Sequence, residues 1–450
     1  MPTATVCYLG VRSLNLGTMS QQRHRFAIKV FLAIYIVATW TSVAGMEVFG
    51  WTTALLTFTY LFRKPEADKT VFQDVIALYP WKICLALFTV VVAGLLINGL
   101  PTADYRTGIG SQRYMLIFLM ASCAFTLWLP TLKGYKVFLI ATSLIAIYGL
   151  FQSATGIDLR HPGSHAAVQP LVGMHAPWRT AGLFGLPLHY AYIAGQWVCL
   201  PLAMTLLNFK NSKTAGWLYW GSLTATVLTG ASIVTTFTRG AWIAMAFTWL
   251  TIAWLAAPRL AVVLGGTGVA IVSVLLATFE TFRTRLFSLF NFQYTSNSER
   301  IFLWRANLEM FRDYPILGVG NTENEARARE YVTRLGNPEA FTGHAHNNYI
   351  QMLSGTGAVG FTLWMSLISY MLWLTWRVWK SIPADQVWMR AIALAALGAQ
   401  IHIHIGGFTE ANFKALPTNH NLMIVWGLVV ALTAIRTNLV KSSESRNETI

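Results

Sequence analysis

Residues 343–360 read GHAHNNYIQMLSGTGAVG. Two imidazoles and two amides stand just ahead of an apolar run broken by glycines. A helix starting at Thr342 or Gly343 and running through Tyr349, Ile350, Met352 and Leu353, interrupted at Gly355 and Gly357, would place His344 and His346 at its N-terminal end. The partial positive charge there disfavours imidazolium, and a neutral imidazole is a general base near neutral pH. The same spacing suits an interfacial histidine satisfied by backbone and water. A metal is a third reading, but two histidines fall short of a site, and a composite one would recruit His402, His404 or His420. Those three read more simply as polar residues facing the interior of a helical bundle.

Arginines supply the other chemistry. In TTFTRGAW, residues 235–242, Arg239 falls in a very tight turn between two apolar stretches, after three threonines. A buried guanidinium is costly unless paired or set against an anion, and its fork grips phosphate oxygens in a way lysine does not reproduce. The alternative is an arginine snorkelling to the membrane interface. Arg179 precedes a glycine-rich turn in PWRTAGLFGLP, residues 177–187, and Arg300 and Arg305 follow Ser298 and Glu299 on a polar helix. A solvated helix face explains each of these equally well when taken singly.

The elements that must hold these residues are membrane helices. The 450-residue chain is 55% hydrophobic and only 11% charged, with mean hydropathy +0.49, whereas soluble domains carry about 25% charge. Apolar runs long enough to span a bilayer recur at 26–44, 46–62, 79–97, 112–130, 134–152, 188–208, 215–237, 240–256, 259–279, 358–376, 387–407 and 420–437. The chain is therefore expected to be an all-α polytopic membrane protein of about twelve spans. Net charge is +15, but its distribution argues against nucleic acid. Lys64, Lys69, Lys133, Lys136, Lys210, Lys213, Lys380 and Lys441 sit in one set of short loops, and placing that set and both termini inside satisfies the positive-inside rule. The outer side then holds many arginines and, apart from Lys414, almost no lysine. Orientation does not require that excess. Arginines and a histidine gathered on one face beside ample lipid-facing surface suit a lipid-linked anion, above all a polyprenyl pyrophosphate.

Domain organisation follows from these spans: a tail at 1–25, nine helices over 26–279 with an irregular outer loop at 153–187, a large outer loop at 280–357, three helices over 358–437 and a tail at 438–450. The first 25 residues lack the apolar core of a signal peptide, and residues 1–20 read as a disordered tail in which Met19 is a second candidate start. Cys7, Cys84, Cys123 and Cys199 are dispersed and show no metal spacing or disulfide framework. The large loop reads as an ordered cap. Ile301, Trp304, Leu308 and Phe311 fit a helical stripe, Arg305 and Glu309 are spaced to pair, DYPILGVG ends that helix, and Thr322 is the expected N-cap of a second, polar helix.

These residues together resemble the O-antigen ligase and O-antigen polymerase superfamily. His346-Asn347, nine residues, Gly357, two residues and Gly360 fit the ligase pattern. Thr238-Arg239-Gly240 is similar to the Ser/Thr-Arg-Gly signature. Glu299-Arg300 with Trp304, then Tyr314-Pro315 and Gly318-Val319-Gly320, resemble the arginine helix and turn of the large periplasmic loop. Arg179 with Gly182-Leu183-Phe184 is similar to the motif of the other loop. The likeness covers roughly residues 140–435, and the first 140 match in hydropathy alone.

The resemblance implies a GT-C-like inner-membrane enzyme with its site facing the periplasm. Its donor would be an undecaprenyl-pyrophosphate-linked glycan and its acceptor a sugar hydroxyl of lipid A–core, amid membrane lipids. Transfer would be inverting, with no metal, no nucleotide and no other cofactor. His346 would then be the general base, with Arg239 and Arg300 holding the pyrophosphate. Arg179, Arg305, Asn347 and His344 would contact substrate. A polymerase or a protein O-oligosaccharyltransferase shares the donor chemistry. From another class, a flippase or transporter of lipid-linked sugars would want similar residues, together with discontinuous helices and internal repeats, neither of which the sequence displays.

Overall fold

A computed structural model describes residues 19–63, 66–160, 178–288, 291, 295–337, 339 and 342–447. All but the last two residues of the 1–20 tail, residues 161–177 of the first outer loop, and 448–450 lie outside these. The described residues contain helices and no β-strand. In the first half these are α1 (Met19–Thr41), α2 (Val43–Phe62), α3 (Glu66–Leu78), α4 (Trp81–Asn98), α5 (Tyr105–Gly110), α6 (Tyr114–Leu127), α7 (Leu132–Thr155), α8 (Pro187–Trp197), α9 (Cys199–Leu207), α10 (Ser212–Ala215) and α11 (Trp217–Val234). The second half holds α12 (Arg239–Ala256), α13 (Pro258–Thr278), α14 (Glu280–Phe287), α15 (Thr295–Asp313), α16 (Glu323–Arg334), α17 (Asn348–Ser381), α18 (Val387–Gly406) and α19 (Leu416–Asn447).

Among the described residues, six helical segments are long and apolar enough to cross a membrane: α4, α7, α8 with α9, α13, α17 and the first part of α19. The other expected spans are helical as well, but α1, α2, α6, α11, α12 and α18 fall short of that combined limit of length and hydropathy. In lipid the hydrophobic effect does not press helices together, so close approach by small residues does much of the work. Gly427 of α19 shows this: a Cβ there would stand 2.7 Å from the Ala121 carbonyl carbon of α6. α18 packs through Ala391, Ala393, Ala396, Gly398 and Ala399, all buried, against α9 and α12.

Within 280–347 the described residues form α14, α15 and α16. The last two enclose a small core of Ala306, Met310, Val319, Ala328, Tyr331 and Val332. Three expectations for this region need correction. Leu308 is exposed, and the buried side of α15 is Leu303, Ala306, Asn307 and Met310. The reason is polar: Asn307 Oδ1 accepts from Ser354 Oγ at 2.7 Å and from Asn324 Nδ2 at 3.2 Å, which turns the amide, not the leucine, inward. Glu309 pairs with Arg312 at 3.8 Å, while Arg305 is exposed. Thr322 occupies the cap position of α16 but has left-handed backbone, at φ 76°, and makes no capping hydrogen bond, whereas a capping residue ordinarily has extended backbone.

The glycine pattern of the opening motif builds a broken helix. In α17 only Gly357 departs from helical angles, at φ 63° and ψ −172°, a region essentially reserved for glycine. Gly355 stays helical. A break inside an apolar helix frees backbone groups that lipid cannot satisfy, and the segment after α15 supplies partners. Val319 N donates to Ser354 O at 2.9 Å and Gly320 N to Gly355 O at 3.1 Å; across the break, Ala358 N donates to Pro315 O at 2.8 Å and Val359 N to Ile316 O at 3.3 Å. Gly318 and Gly320 both have positive φ, and a Cβ on Gly318 would lie 2.5 Å from Gly355 C, Thr356 N and Gly357 N. Gly360 allows the second half of α17 to pack near Val90 of α4. The discontinuity is thus filled by the protein's own backbone.

Gly318→Ala is expected to lose about 1–2 kcal/mol from the left-handed backbone alone, and more from the clash with α17. Gly110→Ala, where a Cβ meets nothing within 4 Å, is the control. Thermal unfolding in detergent should separate the two variants clearly, and equal midpoints would refute the stitching role.

Candidate functional site

His344 and His346 precede α17 and do not form its first turn. Asn347 caps the helix: its Oδ1 accepts from Tyr349 N at 2.9 Å and Ile350 N at 3.1 Å. A helix beginning at Thr342 or Gly343 is therefore corrected to one beginning at Asn348, because a side-chain acceptor at 347 satisfies the orphan donors there. The loop ahead of it is clamped. Trp304 Nε1 donates to Ala345 O at 2.7 Å, and Ala345 N donates to Gln351 Oε1 at 2.7 Å. His346 itself has φ 46°.

Opposite it lies the loop between α18 and α19. The two asparagines of the motif zip the two segments together. Asn347 Nδ2 donates to Phe408 O at 2.9 Å, Asn348 N to Gly407 O at 2.8 Å and Asn348 Nδ2 to Asn412 Oδ1 at 2.7 Å. This presents Glu410, which is 2% exposed. His346 Nδ1 lies 2.8 Å from Glu410 Oε1, and Arg300 donates to Glu410 Oε2 at 3.2 Å. Burial alone would raise the Glu410 pKa. The hydrogen bond from His346 and the charges of His346, Arg300 and His344 outweigh it and hold the carboxyl below its ordinary value. An ionised carboxylate only accepts hydrogen bonds, so His346 Nδ1 is the donor of this pair, and Nε2 is the ring nitrogen that Glu410 does not engage.

His344 plays a different part. Its Nδ1 accepts from His346 N at 3.1 Å, and its Nε2 is 3.8 Å from Glu410 Oε1. Burial, then the neighbouring His346, push its pKa down to about 4. The donor atoms of His344, His346 and Glu410 fall within 4.8 Å of one another, as a metal site would require. Arg300 already sits on the same carboxylate, and its charge opposes a divalent cation there. His402, His404 and His420 are buried in the bundle and take no part. His402 lies against Gly195 and Tyr192, and His420 Nδ1 is 2.8 Å from the Tyr35 hydroxyl.

The second half of the site is the Arg239 turn. Phe237 has φ 51°, and Arg239 is the first residue of α12 and 6% exposed. A cation at a helix N-terminus opposes the helix dipole unless an anion joins it. The guanidinium is held in place by Ser288 Oγ at 2.8 Å and Asn297 Oδ1 at 2.9 Å. Arg179 comes from the other loop to the same turn, with Nε donating to Thr236 O at 2.9 Å, and Arg285 of α14 donates to Phe237 O at 3.3 Å.

The two halves adjoin. Asn297, which holds Arg239, and Arg300, which holds Glu410, are one turn apart on α15. A Cβ on Gly240 would meet Thr409 Oγ1 at 2.1 Å, so the arginine turn packs against the Glu410 loop. Of the residues expected from sequence, Arg239, Arg300, Arg179, His346, Asn347 and His344 are gathered here, while Arg305 points to solvent. Gly318, Gly320, Gly357 and Gly360 are structural. Glu410, Asn297 and Arg285 were not read from sequence. Glu410 had a signal: it is the one acidic residue between Asp385 and Glu444.

Below pH 6.5 an unfolded His344 takes up a proton that the folded protein refuses until about 4, so native stability should fall across that window as pH drops. In His344→Gln the melting temperature should depend less on pH between those limits. An unchanged dependence would contradict the assignment.

No curated protein matches this chain. Residues 224–365, which include the Arg239 turn, Arg300 and His346 but not Arg179 or Glu410, match the family model described as O-antigen ligase. Over that segment, about a third of its length, the chain is similar to the O-antigen ligase family.

Proposed function

We propose that this protein is an O-antigen ligase. It would transfer a glycan from undecaprenyl pyrophosphate to a sugar hydroxyl of lipid A–core, on the periplasmic side of the inner membrane. The observation that carries the reading is the His346–Glu410–Arg300 triad, joined through α15 to a buried Arg239.

A sugar hydroxyl is a weak nucleophile, so its proton must leave as its oxygen attacks the anomeric carbon. His346 Nε2 receives that proton. Glu410 fixes the tautomer and steadies the imidazolium that forms, a carboxylate–imidazole logic that recurs on unrelated folds. The bond from the anomeric carbon to the pyrophosphate oxygen breaks, and its electron pair departs with the pyrophosphate. Attack from the opposite face inverts the anomeric centre. Arg239, held by Ser288 and Asn297 before substrate arrives, stabilises the departing charge, as preorganised donors do most effectively. Arg179 serves the same anion from the neighbouring loop. Arg300 binds it while neutralising Glu410. The chemistry requires no metal.

His346→Ala should lower transfer by about 10²–10⁴-fold at normal protein level, and Glu410→Gln should do likewise without loss of fold. The assay is reconstitution with an undecaprenyl-pyrophosphate glycan and either lipid A–core or a protein acceptor. Wild-type rates in His346→Ala would remove the base. Transfer to the protein acceptor alone would make the enzyme a protein O-oligosaccharyltransferase.

Arg239→Lys should fail by about 10²–10³-fold, since a point charge does not replace a fork fixed at two acceptors. Full activity would reduce Arg239 to a membrane anchor.

A further inference from the structure

The arginine–histidine site lies at one end of the bundle. α7 shows which end: near its C-terminus, Ser153 Oγ donates to Trp178 O at 2.7 Å, next to Arg179. Its N-terminus, at Thr131 and Gly134, is roughly 30 Å away along the helix. There a cavity of 380 Å³ opens between α1, α6, α7, α8, α9, α18 and α19, within the size range of ligand sites. Its wall is almost wholly apolar and includes Ala33, Val37, Trp128, Val137, Ala141 and Ala396. Val37 and Val137 are 42% and 64% exposed, so the cavity opens sideways between α1 and α7, into the lipid.

Its mouth is cationic. Lys29 is one turn before Ala33 on the same face of α1, and its Nζ stands over the Trp128 ring, 5.6 Å from the centroid. Lys133 is one turn before Val137 on the same face of α7, and both lysines are exposed. The Trp128 indole N–H is buried and makes no hydrogen bond, which is a costly state for a donor. An apolar slot open to lipid, two ammonium groups at its rim and an orphaned donor beside them form a consistent set.

We infer that this cavity binds an anionic phospholipid from the leaflet opposite the site. One acyl chain fills the slot, the phosphate lies at Lys29 and Lys133, and an ester carbonyl accepts the Trp128 N–H. This ligand is distinct from the glycan donor, whose pyrophosphate belongs with Arg239 at the other end. Lysine suits the role, because a head group at an interface needs a mobile point charge and no rigid fork.

Native mass spectrometry of the purified full chain, titrated with phosphatidylglycerol or phosphatidylethanolamine, tests this. The wild type should retain one phosphatidylglycerol and prefer it by about tenfold. The double variant Lys29→Gln, Lys133→Gln should lose the preference. Ala141→Phe should exclude both lipids at an unchanged melting temperature. Equal binding of the two lipids by the wild type would overturn the proposal, as would a full preference in the double variant. Displacement of phosphatidylglycerol by undecaprenyl phosphate would assign the cavity to the donor's tail and overturn it too. Should Ala141→Phe fail to fold, the lysine pair, which is exposed, still decides.

Discussion

A carboxylate buried to 2% exposure is the constraint on which the site depends. An unpaired charge there would be strongly destabilising, so Glu410 has to be met by donors. It is met from two directions, by His346 from the loop ahead of α17 and by Arg300 from α15. Each partner is in turn fixed by something else. The histidine loop is tied to Trp304 and Gln351, and the Glu410 loop to Asn347 and Asn348. Electrostatic satisfaction of one residue therefore draws three segments, far apart in sequence, into one geometry. It also decides which nitrogen of His346 faces the carboxylate.

That arrangement holds only if α15 is itself fixed, and the broken helix sees to this. Residues 315–320 leave α15 and immediately fill the gap at Gly357 with four backbone hydrogen bonds. The requirement that no backbone group in an apolar setting go unpaired thereby anchors the cap to the bundle. Asn307 and Ser354 add a side-chain bond across the same contact. Asn297, Arg300 and Trp304 all lie on the helix so anchored, which is why glycines that touch no substrate belong to the same motif as the histidine.

Much of this was legible in residue types and little of it in pairings. His346, Arg239, Arg300 and Arg179 stood out because imidazole and guanidinium are rare and costly beside lipid. Hydropathy marked the helices. Glu410 was missed because its role rests on burial and on a partner 64 positions away in sequence, and no local period encodes that. Leu308 departs from the apolar stripe for a related reason: helical period predicts that apolar residues face inward, but α15 meets α17 through amide and hydroxyl groups. The start of α17 was set too early because glycine and threonine are also acceptable caps, and only the paired bonds of Asn347 distinguish it. Thr322 fitted a cap pattern that the left-handed turn before it undoes.

The cations of the two ends differ in kind, and the difference follows from what each end must do. Arg239 is buried and held by Ser288 and Asn297, while Arg179 is tied to the Thr236 carbonyl. Fixing a guanidinium in this way costs side-chain freedom during folding, so in the proposed transfer the donors would need no reorganisation as negative charge develops on the leaving group. Two of the three non-glycine residues with positive φ among those described, Phe237 and His346, flank this same place. Strained backbone persists where the surrounding structure over-determines it, and here that structure is the hydrogen-bonded frame around Glu410 and Arg239. At the opposite end Lys29 and Lys133 are exposed, a setting that suits the proposed retention of a charged lipid better than stabilisation of a transition state. A rigid fork at one end and a flexible point charge at the other are what a protein needs if it performs transfer on one side of a bilayer and only holds its position on the other.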